Sequence, residues 1–498
     1  MLSLKKVKSN GSTKIITFAA RKRETTMDYN FEEDEDYIRE LLERFEKTNS
    51  GNGSSFFDSQ ELEDIIYHYF SESDFTNAKK AIDLALKRFP SDNVFHLLMA
   101  QYLVNNDEPE KALKLLSRIQ PSEPNNPDII TTKAGVLSAM HKHDDAIKEY
   151  RKALKYINEG LDEIYTSIAF EYESLNQFDK AVEYLKKAHH VEPKNEGVLY
   201  ELGYCFEIGS MTDESITFFE DLVNREPYSG VGWYNLGMAY KTVDLYEKAI
   251  EAFDFSIAID PEFTPAYYIK AQTYESMDLF SQAVKVYKQT FEYEKPDAMV
   301  YYYIGDCYEQ MKKYETAIEY YHKSIELEQQ LSDAWMGIGI CSDELGRKQE
   351  AIPFMEQAVK LEPQNADYWY ILADCYNGLK LTEEALNAYN KVTELDALNP
   401  EIWLDISDFY AKELNDINKA LELIDEGISL QPSNYDLMYR KVAYLLEAGN
   451  VKEAVRELYL TLPLDYEAHR ALLEYSKKAR LNPSIMDVIS TYVELNGL

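Results

Sequence analysis

The chain has 498 residues, 45% of them apolar and 28% charged, and its 52 basic against 88 acidic side chains leave a formal charge of −36. That is ample material for a large core, but so acidic a surface repels phosphate backbones and anionic lipid, so neither nucleic acid nor a membrane is an expected partner. Four cysteines are too few for a disulfide scaffold, no apolar run approaches the ~18 residues of a membrane-spanning helix, and 40 tyrosines demand a reason.

Taken in chain order, residues 1–26 come first. Lys5, Lys6, Lys8, Lys14, Arg21, Lys22 and Arg23 stand against one acid, Glu24, for a local charge of +6. The sign reverses at Met27. The run Ile15–Ala20 is shorter than the ~7–15 apolar residues of a secretory signal, and no cysteine precedes Cys205 to carry a lipid, so a cytoplasmic location is expected. The stretch weakly resembles an organellar presequence. It reads better as a disordered arm (1–33 with its acidic continuation), or as an upstream extension of a gene that starts at Met27. An acidic helix is predicted over 34–47. Residues 48–55, Thr-Asn-Ser-Gly-Asn-Gly-Ser-Ser, then read as a flexible linker within 34–58 that sets this helix apart from the body.

The body is periodic. Ala78, Ala112, Ala146, Ala181, Ser215, Ala249 and six further alanines to Ala454 follow at 34-residue spacing, with 35 only at 146→181 and 385→420. All four tryptophans share one phase of that period, and seven prolines share another. Within 230–263, Trp233, Leu236, Gly237 and Tyr240 mark one amphipathic helix. Ala249, Ile250, Phe253 and Ile257 mark a second, which Pro261 closes. Each unit therefore predicts one antiparallel helix hairpin. Small residues at its eighth and twentieth positions let neighbouring axes approach closely. No hairpin buries its faces alone, so neighbours must stack.

With an aromatic at position 4, Leu or Ile at 7, a small residue at 8, Tyr at 11, Ala at 20, an aromatic at 24 and Pro at 32, the unit resembles the tetratricopeptide repeat family. The match is strong over 162–434, as in Trp335–Ile338–Gly339–Ala351–Ala358–Pro363, and looser over 59–126. Twelve units fill 59–468, and residues 469–498 are expected to add two capping helices. The resemblance implies an all-α solenoid of antiparallel helix pairs wound into a right-handed superhelix. It also implies a protein-binding scaffold or adaptor rather than an enzyme, although the fold itself serves many roles.

Motifs for chemistry are weak. Cys205, Cys307, Cys341 and Cys375 all occupy position 10, so stacking strings them out in a ladder that neither closes a disulfide nor converges on a metal; they read as small packing residues. His141-Lys-His143-Asp144-Asp145 reads as a solvated turn, and His189-His190 as a helix end where His favours the dipole. Gly337-Ile-Gly339 lies inside a helix without the strand that a nucleotide loop requires. No catalytic residue, metal or cofactor is expected.

What remains is the inner surface, which in the family is lined by first-helix positions 2, 5, 9, 12 and 13. Position 5 carries Tyr200, Tyr234, Tyr268, Tyr302, Tyr370 and Tyr439, with Met336 and Leu404 interrupting. Positions 9 and 12 add Glu207, Glu275, Asp306, Glu309, Asp343, Asp374 and Asp408, with Lys241 and Lys412 as exceptions. These residues predict an acidic, Tyr-lined groove for an extended or helical protein segment with basic and apolar anchors. The competing readings are that position 5 packs on its neighbours, and that the solenoid associates with itself, as monomer or homodimer. The Lys and Asn that clamp chaperone C-termini in part of the family are missing from positions 5 and 9, and the asparagine ladder of its glycosyltransferases is missing as well.

Overall fold

The computed structural model describes residues 31–50 and 55–497. The basic stretch 1–26, the Met27 boundary and residues 51–54, half of the predicted linker, lie outside them. Every regular element among the described residues is helical. They fall into two compact units divided between Pro261 and Glu262. The first opens with the helix Phe31–Asn49. Six helix pairs follow, from Ser59–Ser71 with Phe75–Arg88 to Gly230–Thr242 with Tyr246–Ile259. The second unit holds six more, from Thr264–Ser276 with Phe280–Gln289 to Tyr435–Glu447 with Val451–Thr461.

The sequence period reappears in the backbone. One residue in each hairpin turn takes a left-handed conformation: Ser73, Asp107, His141, Asn176, Ser210 and so on to Gly449, five residues before each small residue of the period. The reason is local. At Asp244 the turn returns the Leu245 N–H to the Tyr240 carbonyl at 3.0 Å and the Asp244 N–H to that of Lys241 at 3.1 Å, satisfying acceptors the helix end leaves open. The second 35-residue step is absorbed as a π-helical turn, Phe409–Glu413, so the extra residue bulges while the packing register on either side survives.

Packing explains the small residues. A Cβ on Gly237 would lie 2.6 Å from the Phe253 ring, and one on Gly305 2.7 Å from Tyr321. The aromatic at position 24 thus sits directly on the backbone of position 8. The tryptophans at position 4 pin the preceding turn: Trp233 Nε1 donates to the Pro227 carbonyl at 2.9 Å, and Trp335, Trp369 and Trp403 repeat the bond at 2.9–3.0 Å.

Two expectations are corrected at the ends. The N-terminal helix is not set apart. It buries Leu41 and Phe45, with the Phe45 ring 6.3 Å from Phe57 and 6.0 Å from Tyr69. Arg44 donates to Glu61 at 2.9 Å, so apolar burial and an ion pair dock this helix as a cap. At the other end three short helices, not two, follow the last pair: His469–Tyr475, Lys477–Leu481 and Pro483–Asn496. Asn482 breaks the backbone out of helix and caps the last one, with Pro483 at its first position.

Candidate functional site

In the first unit the helix Glu196–Ile208 turns Val198, Leu199, Leu202, Cys205 and Phe206 into the core. The 3.6-residue period then places Tyr200, Tyr204 and Ile208 together on the opposite stripe, 38%, 40% and 51% exposed. Carboxylates ring them. Tyr204 is pushed above its ordinary pKa by partial burial and then by Glu173, Glu201 and Glu207 nearby. Tyr200 is pushed up to about 12 by burial, with Glu196 and Asp260 adding to it. Tyr204 and Ile208 occupy positions 9 and 13, which the family pattern puts on the inner surface, but a reading centred on the tyrosines of position 5 and the acids of 9 and 12 does not single them out. The signal that finds them is the i, i+4, i+8 apolar stripe opposite the buried face of that helix.

The position-5 tyrosines divide. Tyr234 is only 8% exposed, its ring 6.1 Å from Phe253, and Tyr439 is 1% exposed, donating its hydroxyl to the Asp465 carbonyl at 2.5 Å. These two belong to the core and present no face to a partner. In the second unit Tyr268, Tyr302 and Tyr370 are half-buried, each against the position-24 ring of its own hairpin: Tyr287 at 6.3 Å, Tyr321 at 5.8 Å and Tyr389 at 6.4 Å. Tyr268 donates to Glu294 at 2.5 Å and Tyr370 to Asp405. Packing and partial exposure coexist at this position in the second unit.

The groove acids are tied inward. Glu309 accepts from the Tyr321 hydroxyl at 2.8 Å and the Cys341 thiol at 3.4 Å. Glu275 accepts from Cys307 at 3.1 Å, Glu173 from Cys205 at 3.3 Å, and Asp374 from the Tyr389 hydroxyl at 2.5 Å. Asp343 takes the Lys348 ammonium, while Glu207 stands exposed. Burial pushes the carboxyls of Asp306, Glu309 and Asp374 above their ordinary range. The thiols are therefore more than space-fillers, since three of them donate to the first helix of the preceding hairpin. Burial first, and the acids next, push all four up, Cys375 to about 11, which keeps them protonated and inert. Much of the tyrosine excess has the same logic: Tyr240, Tyr321 and Tyr376 bury a ring and set the hydroxyl on a carboxylate at 2.5–2.8 Å.

Both histidine motifs need correction. His143 is not solvated: it heads a helix, and its Nδ1 lies 2.7 Å from the buried carboxylate of Glu171. His189 is buried edge-on to Phe218, and desolvation holds its pKa down, so it is neutral rather than a dipole-stabilising cation. Near the C-terminus Asp408 gathers the Tyr475 hydroxyl at 2.5 Å, Lys412 at 2.8 Å, Arg440 at 2.6 Å and the Tyr444 hydroxyl. Burial alone would raise its pKa, but Arg440 and the three donors outweigh it and hold it low. Tyr475 thereby ties the first capping helix across the last first helix, which supplies Arg440 and Tyr444, to Asp408 on the first helix before it. Among the described residues, no group of three or more His, Cys, Asp or Glu is placed to hold a metal ion, and no helix is long and apolar enough to cross a membrane.

Three family models, each described as tetratricopeptide repeat, match residues 162–195, 232–263 and 264–295; 298–331; and 344–406. No curated relative matches the chain at a significant level. Among solved structures it is similar to MamA (22% identity, 32% of this chain and 95% of that one, TM-score 0.31). It is also similar to YrrB, described as a TPR protein with an unusual peptide-binding site (18% identity, 36% and 93%, TM-score 0.32). A third likeness is to the APC/C hetero-tetramer Cut9–Hcn1 (17% identity, 80% and 94%, TM-score 0.37).

Proposed function

The chain is a tetratricopeptide-repeat protein, and from that premise we propose that it is an interaction scaffold, holding an extended or helical segment of a protein partner against its first helices. The observation that carries this reading is the exposed stripe Tyr200–Tyr204–Ile208 with Glu173, Glu201 and Glu207 around it. Such a surface suits apolar or aromatic anchors flanked by Lys or Arg. The rings supply affinity, about 2 kcal/mol for a good anchor, and the acids speed encounter and reject anionic competitors. The second unit by itself carries the same residue types, half-buried Tyr268, Tyr302 and Tyr370 with Asp306, Glu309, Asp343 and Asp374, most of these acids being engaged by their own neighbours. No catalytic step is assigned to the chain, and a cytoplasmic location goes with the proposal.

The test is a photo-cross-linking amino acid at position 204 to capture the partner in cells, followed by affinity measurement. Tyr204→Ala with Ile208→Ser should weaken that partner tenfold or more without moving the melting curve, whereas Glu201→Gln with Glu207→Gln should mainly flatten the salt dependence. Unchanged affinity in the first variant would overturn the assignment. Exposed Tyr459, Leu460 and Leu464 near the C-terminal end favour a second reading, self-association, which concentration-dependent sedimentation would reveal.

A further inference from the structure

The last helix pair, Tyr435–Glu447 with Val451–Thr461, departs from a rule that the other eleven keep. The fifth residue after the small residue of the period is polar in every other hairpin. The sixth is polar in all but two, as in Arg151–Lys152, Glu220–Asp221 and Asp425–Glu426. Of the two exceptions, Leu84 and Phe255, the second lies stacked on Trp233 at 4.4 Å. After Ala454 the same two positions carry Tyr459 and Leu460, and both stay 58% exposed with the capping helices in place. Leu464 follows one helical turn on, 52% exposed. The end of a solenoid needs a polar outer face to stay dispersed, so an apolar one calls for a cover. We propose that the cover is a second copy of this chain: a two-fold dimer in which Val451–Thr461 packs on its counterpart, with Tyr459, Leu460 and Leu464 at the centre. This rests on the self-association reading above, to which it gives a face and a symmetry.

Charge selects this occupant. Two chains at −36 repel wherever acid meets acid. Residues 451–498, however, carry six basic and seven acidic side chains, so this end approaches its own copy at little electrostatic cost. A basic segment of the kind that suits the Tyr200–Tyr204–Ile208 stripe finds no net negative charge of that strength here. The exposed side of the helix holds both signs beside the apolar residues, Lys452 and Arg456 with Glu453. A two-fold axis sets a patch against itself, so apolar residues meet apolar residues at the centre while acids of one copy meet bases of the other at the rim. The stems of Lys452 and Arg456 add apolar cover there without burying their charges.

The experiment is sedimentation velocity of the full chain over a concentration series. The parent should dimerise, and Tyr459→Ser with Leu460→Ser should raise the dimer Kd about tenfold or more at an unchanged melting curve. Because the contact is apolar and its charges are balanced, raising salt from about 0.05 to about 0.5 M should leave the parent dimer intact or tighten it. Leu460→Cys keeps a small apolar side chain at the centre. A short bis-maleimide should join two copies of that variant and leave the parent unjoined, since the four native thiols are buried and held protonated. A parent that stays monomeric throughout overturns the dimer and the self-association reading together. A dimer that ignores the double substitution, dissolves in salt, or is not joined through position 460 overturns this face and symmetry alone, and self-association elsewhere on the chain then stands.

Discussion

At the scale of single residues, the close approach of position 24 to position 8 makes the sharpest stability prediction. Gly305 faces the ring of Tyr321, which is itself buried and bonded to Glu309, so neither the ring nor its hydroxyl has room to retreat. Gly305→Val should cost about 1–3 kcal/mol, read as a lower urea midpoint. Ala at the same position in the neighbouring unit, Ala271 before Tyr287, shows that a single methyl is tolerated where the backbone has adjusted to it. The branched side chain is what the contact refuses. Position 8 was legible as small from the sequence; the identity of the ring above it was not.

At the scale of the hairpin, the left-handed turn residue is where local and global preferences conflict. Ten of these positions carry side chains, although left-handed backbone costs an L-residue roughly 1–2 kcal/mol. Lys312 is one, with φ 55°, while the next hairpin places Gly346 there with φ 76° and open space where a Cβ would go. Exchanging them separates backbone strain from packing. Lys312→Gly should stabilise by about 0.5–1 kcal/mol, part of the relief being returned as unfolded-state entropy, and Gly346→Ala should destabilise by about 1 kcal/mol. Both should shift the denaturant midpoint at constant m-value.

At the scale of the whole molecule, the acidity bears on stability through its buried members. Asp306, Glu309, Asp374 and Asp405 have their folded pKa values raised, burial being the leading cause in each. Unfolded carboxyls titrate near 3.9–4.3, so between those values and the raised ones the folded chain binds more protons. The stability they confer is full below the unfolded pKa and is lost as pH rises through the folded one. The melting temperature should therefore climb as pH is lowered from neutral towards the ordinary carboxylate range. Asp408 opposes this only further down, because its pKa is held low and its contribution is lost below the ordinary carboxylate range. Asp306→Asn with Glu309→Gln should flatten the rise; an unchanged slope would place its origin in the general surface charge. Because each hairpin packs mainly on its neighbours, unfolding should spread over several steps.

The sequence by itself determined the all-helical class, the hairpin, the 34-residue register and the phase of its tryptophans, because a repeat prints the same packing demand at the same position many times over. It also singled out the first-helix positions that we propose face a partner. Tertiary structure decided which members of that surface are available. Tyr200, Tyr234 and Tyr439 share one position, yet the first is exposed and the other two are core, since exposure depends on the rings brought beside each by its own and the next hairpin. Tertiary structure likewise drew Tyr204 and Ile208 into one exposed stripe, gave three of the four thiols carboxylate acceptors, and docked the N-terminal helix through Phe45. Periodicity reports what every unit must do alike. Burial and hydrogen bonding depend on what each unit meets, and that is a property of neighbours.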